Sequence, residues 1–129
     1  KILNGLIPSG HFLSQESPLT IEAIDSEPEP DIMVCKGSET DFWVENPNTA
    51  ELVIEIAVTS LNLDRYKARL YATAGVKEYW LLHAQERKLE IFTVPQGGEY
   101  KASRFVTGNV VSAVMPQLQF ELKDGLPPQ

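Results

Sequence analysis

The most apolar run in the chain, Leu52-Val53-Ile54-Glu55-Ile56-Ala57-Val58, is interrupted at its centre by a carboxylate. It is short, β-branched and bounded by polar positions, which predicts a buried strand. Comparable patterns predict strands near His11-Phe12-Leu13, over Leu19–Ile24, Asp31–Cys35, Glu78–His83, Lys88–Val94, Glu99–Thr107 and Leu118–Leu122. Between them lie an acidic, Pro-rich turn at 25–30, a long polar loop at 36–50 containing Trp43, a hairpin turn at Gln85-Glu86-Arg87, and a turn at Pro95-Gln96-Gly97-Gly98. The rest of 1–18 reads as irregular. A helix is predicted over Leu63–Ala74. Ser60 or Asn62 can cap it, Asp64 suits its positive first turn, and Gly75 can close it.

This order predicts an α/β fold, a mixed β-sheet with a flanking helix. The strand–helix–strand unit at 51–83 should be a crossover joining parallel strands. Residues 31–35 and 51–57 can pair as antiparallel neighbours; with Cys35 opposite Glu51, Asp31 falls opposite Glu55. No repeat or linker divides the chain, so 1–129 is expected to be one domain with a frayed tail at 124–129.

A buried ionised carboxylate without partners is expensive, so Glu55 needs a lysine, a metal ion or a retained proton. At about 100° per residue, Lys67 shares the apolar side of the helix with Leu63, Leu70 and Tyr71, while Arg65 and Arg69 point away. Asp31 opens the neighbouring strand. Two carboxylates and a lysine suit metal-dependent phosphodiester hydrolysis: Asp31, Glu55 and the backbone carbonyl of Ile56 would hold Mg²⁺ or Mn²⁺, with Lys67 beside them. Each residue also has a structural reading. Asp31 after Pro30 can be a turn residue, Glu55 a satisfied carboxylate, and Lys67 a snorkelling side chain.

Composition narrows the field. A net charge of −7 argues against non-specific coating of nucleic acid but not against a nuclease, where a metal supplies local positive charge. The single Cys35 forms no internal disulfide and reads as a small buried hydrophobe, which favours a reducing, cytoplasmic setting. No apolar stretch approaches the roughly 18 residues of a membrane span. His11 and His83 lack spaced partners and read as core or surface residues, and Trp43 reads as loop packing rather than a base platform. A chain that begins at Lys1 instead of methionine is expected to be a fragment or a processed product.

Several stretches together resemble a known family: EPEPDIMV at 27–34, ELVIEIAVTSLNLDRYKARLYATAGVKEYWLL at 51–82, and the later GGEY and MPQL. They are similar to the Uma-two family of restriction endonucleases, a branch of the PD-(D/E)xK nuclease superfamily, from about residue 10 to about residue 123. The resemblance implies a restriction-endonuclease-like sheet flanked by helices and Mg²⁺-dependent cleavage of DNA. It matches Asp31 to the motif aspartate and Glu55 to the motif acid. Ala57 stands where the motif lysine belongs, and Lys67 matches a lysine that this family places on the following helix. The family's N-terminal helical region has no counterpart in 1–18, so the nuclease domain is expected to be N-terminally incomplete or to lack that part.

The leading expectation is therefore a metal-dependent DNA endonuclease, for which a homodimer cutting both strands is one assembly. A catalytically degenerate nuclease fold that binds protein or nucleic acid is the rival, favoured by Ala57 and the acidic balance. A hydrolase acting on another phosphoester is a third reading.

Overall fold

The computed structural model describes residues 2–58 and 61–126, with side chains for 3–58 and 66–126. Six strands form one sheet in sequence order: β1 (His11–Gln15), β2 (Ile32–Lys36), β3 (Leu52–Ala57), β4 (Glu78–His83), β5 (Lys88–Gln96) and β6 (Glu99–Val106). All neighbours are antiparallel except β3 and β4, which are parallel and joined by helix α1 (Leu61–Thr73). A short ribbon of β7 (Asn109–Val111) and β8 (Gln119–Glu121) stands apart from that sheet. This is the expected mixed sheet with its flanking helix. Among the described residues, no helix is long and apolar enough to cross a membrane.

Period-two alternation assigns side chains to the two faces of the sheet. Met33, Cys35, Val53, Ala57, Tyr79 and Leu81 meet Tyr71 of α1 in one buried cluster. Val34, Leu52, Ile54, Trp80 and Ile91 meet Val110, Met115 and Leu118 on the other face, so the β7–β8 region covers the side away from the helix. Gly75, at φ +75°, closes α1 in the left-handed conformation that glycine adopts at low cost. The expected cap at Ser60 lies outside the described residues, and the side chains of Asn62, Leu63, Asp64 and Arg65 lie outside the described side chains. Arg69 is exposed, as its helical position predicts.

Three expectations change. Leu19–Ile24 is not a strand: Glu22–Ile24 is a 3₁₀ turn, with one isolated bridge between Ile21 and Ser26. Its alternation is real, since Leu19 and Ile21 are buried, but the backbone bonds run to loops. The Leu19 amide donates to Pro28 O and the Thr20 amide to Pro47 O, and Asp25 turns the chain at φ 48°. Strand β5 continues through Pro95 to Gln96. Its pairing with β4 ends at Thr93, so the missing proline donor falls where one side of the strand has no ladder partner. The chain from Leu122 to Gly125, expected to fray from 124, forms a 3₁₀ turn whose Leu122 is buried, and Leu126 packs on the core.

Cys35 is buried, and burial followed by the Glu51 charge pushes its thiol up to about 11. It behaves as the packing residue expected of it.

Glu78 ties the two layers together. It is fully buried at the start of β4. Its carboxylate accepts from the Ala113 amide at 2.9 Å, the Val114 amide at 3.5 Å, the Trp80 indole N–H at 3.3 Å and the Ser112 hydroxyl. The Ser112 oxygen in turn accepts from the Met115 amide at 2.9 Å. A turn 34 to 36 residues further along the chain is thereby fixed against the sheet.

Candidate functional site

The β2–β3 ladder pairs Ile32 with Ile54, Met33 with Val53 and Val34 with Leu52. Continued by one residue, that register sets Asp31 opposite Glu55, the alignment expected from the sequence. Two hydrogen bonds lock the pair: the Asp31 amide donates to Glu55 Oε1 at 3.3 Å, and the Ile56 amide donates to Asp31 Oδ2 at 2.8 Å. Both carboxylates lie on the face covered by α1. Asp31 is half-buried and also lines a surface hollow with Gln15, Glu16 and Ile56.

Glu55 is only 2% exposed. Its other oxygen, Oε2, accepts from the Tyr71 hydroxyl at 2.5 Å and lies 3.7 Å from Lys67 Nζ. Lys67 and Tyr71 are one helical turn apart, so α1 presents both to the same oxygen. Burial is the largest influence on the Glu55 carboxyl and pushes it above the ordinary carboxylate range, with Asp31 adding to the rise. The Tyr71 hydroxyl and the Lys67 ammonium pull it back without cancelling burial. Burial, and then the Glu55 charge, push the Tyr71 phenol far upward, so it remains a protonated donor. Lys67 keeps 30% of its side chain exposed, so it is less buried than the carboxylate it faces.

The structure thus brings Asp31, Glu55 and Lys67 together, with the Ile56 backbone beside them. Tyr71 is the member that sequence reasoning missed. Its position four residues after Lys67 was the available signal, but a tyrosine beside an apolar helix face ordinarily means packing. Ala57, at the lysine position of the motif, is buried in the cluster around Tyr71. His83 turns toward β5, with Nε2 3.0 Å from Glu90 Oε1, and belongs to the core.

Among the described residues, no three His, Cys, Asp or Glu side chains are grouped closely enough to hold a metal ion. Asp31 and Glu55 do offer hard carboxylate oxygens of the kind that Mg²⁺ or Mn²⁺ takes, and one oxygen of each already accepts a backbone amide. Mg²⁺ usually binds through one or two carboxylates, with water and substrate phosphates completing its shell.

The sequence model of the family described as "Uma2: Putative restriction endonuclease" matches residues 4–127. The chain belongs to the Uma2 family. A crystal structure titled as "a putative nuclease belonging to DUF820" from Anabaena variabilis ATCC 29413 superposes with a TM-score of 0.73 at 18% identity, covering 95% of this chain and 73% of that one. At that identity the likeness shows the fold. A search of curated proteins returned no match. The Uma2 assignment and the restriction-endonuclease-like fold together support a nuclease.

Proposed function

We propose that this Uma2 domain, spanning 1–129, is a metal-dependent endonuclease that hydrolyses phosphodiester bonds of DNA. The observation that carries the reading is the locked pair of Asp31 and Glu55, with Lys67 3.7 Å from one Glu55 oxygen. Asp31, Glu55 and the Ile56 carbonyl would hold Mg²⁺ or Mn²⁺. When bound, that ion would supply Lewis acidity and lower the pKa of water.

The chain's own residues do the remaining work. Tyr71 holds Glu55 in one orientation by bonding Oε2, and the part-exposed Lys67 beside it would meet the phosphate. There its ammonium stabilises charge that develops on phosphoryl oxygens. In the overall reaction a water oxygen bonds to phosphorus, the bond to one ester oxygen breaks, and that oxygen leaves with a proton. A homodimer would place two sites on two strands, and the lone thiol favours action in the reducing cytoplasm.

The test is cleavage of supercoiled plasmid DNA with Mg²⁺ and with EDTA, beside Lys67→Met. The parent should cleave only with metal. The variant should lose about 10²–10³-fold in rate, the usual cost of removing one group that stabilises transition-state charge. Cleavage unchanged in EDTA, or in the variant, would refute the assignment.

A further inference from the structure

Beside the candidate centre lies a second cavity, of about 230 Å³, floored by Phe12 and Met33 and walled by Phe42 and Trp43. Met33 and its cross-strand neighbour Ser14 belong to the same sheet face as Asp31. Met33 follows Asp31 by two strand positions, a separation of about 7 Å. Residues 14 to 18 run along both openings: Gln15 and Glu16 line the hollow at Asp31, and Ser14, Ser17 and Pro18 line this cavity. Trp43 is 78% exposed, contrary to the loop packing expected of it, and is among the residues that line this cavity.

We propose that this cavity receives the base of a nucleotide next to the scissile phosphate, with Trp43 as the stacking platform. The substrate would then need an unpaired base at that position, as superhelical strain supplies in supercoiled plasmid DNA and a relaxed matched duplex does not. This inference rests on the nuclease reading above.

Two features suit a base. The cavity is smaller than the roughly 300–1,000 Å³ pockets that enclose drug-sized ligands, which suits a single planar ring system. Its lining combines the aromatic wall with the Glu39 carboxylate, an acceptor suited to an exocyclic amino group. Base–aromatic stacking is insensitive to sequence, since every base has a π-face.

Fluorescence can test this directly, because the chain has two tryptophans and Trp80 is buried at 1% exposure. A short single-stranded oligonucleotide, added with Ca²⁺ in place of Mg²⁺, should quench the parent's emission, and Trp43→Phe should lose most of that signal. Trp43→Ala should weaken binding of the same labelled oligonucleotide by about tenfold or more, the range for loss of one base–aromatic stack. The matched duplex should bind equally to parent and variant. Unchanged single-strand binding in Trp43→Ala, or equal quenching by the duplex, would overturn the inference while leaving plasmid cleavage to stand on its own. Failure to bind any oligonucleotide would overturn both. A lysine-rich peptide that quenches Trp43 where the oligonucleotide does not would reassign the cavity to a protein partner.

Discussion

Glu55→Gln is expected to abolish Mn²⁺ binding and cleavage while leaving the fold intact. Glutamine keeps the shape of the side chain and an oxygen that can accept from Tyr71, but it removes the charge that would hold a cation. Changing a residue that merely supports a metal ligand costs about 10–100-fold in affinity, so losing a ligand should exceed that range. Stability should move by no more than about 1 kcal/mol at low pH, in the range of a mild substitution. If Glu55 and Lys67 were a structural buried pair, the same change would cost about 3–5 kcal/mol through a stranded lysine. Lys67 is 30% exposed and can resolvate, which favours the small effect.

The pH dependence sharpens this prediction. Burial raises the folded pKa of Glu55 above its unfolded value. Its favourable contribution is therefore complete below the unfolded pKa and is lost as pH rises through the folded one. Glutamine does not titrate. The stability of Glu55→Gln relative to the parent should therefore increase with pH across that window, read as thermal midpoints at mildly acid and neutral pH. A variant whose stability relative to the parent falls with rising pH would contradict the raised carboxyl.

Glu78→Ala is expected to produce the largest loss of stability of any single change considered. Glu78 is fully buried, and its removal strands the Trp80 indole N–H, the Ala113 amide and the Ser112 hydroxyl, besides opening a cavity. Each buried donor without a partner costs about 1–3 kcal/mol, and the costs are not additive. A total of about 3–5 kcal/mol is expected, a large share of the roughly 5–15 kcal/mol by which domains are stable. The thermal midpoint should fall by about 10–20 °C. Glu78→Gln, which retains one carbonyl acceptor, should lose less. A midpoint within a few degrees of the parent for Glu78→Ala would show that the turn at 112–115 is held by apolar packing alone.

How much was legible in the sequence follows from the range of each interaction. The crossover of β3, α1 and β4 could be read because its apolar periodicities are local. The pairing of Asp31 with Glu55 was one register open to two adjacent antiparallel strands, conditional on Cys35 facing Glu51, because the long loop between them does not fix it. The ladder from Ile32 to Val34 runs in that register. Glu78 could be placed on a strand, but its role could not be read, since its partners lie 34 to 36 residues away on a turn with no pattern of its own. Leu19 and Ile21 misled because burial by loops leaves the same alternation as burial in a sheet. Trp43 misled in the opposite direction: an aromatic residue in a polar loop ordinarily packs, and here it is exposed.

The central claim, that Asp31 and Glu55 together hold a divalent cation, is tested most directly by calorimetric titration of Mn²⁺ into the parent chain and into Asp31→Ala. Saturable binding by the parent that disappears in a folded Asp31→Ala variant is the predicted result. Equal binding by both chains, or no binding by the parent, would contradict it.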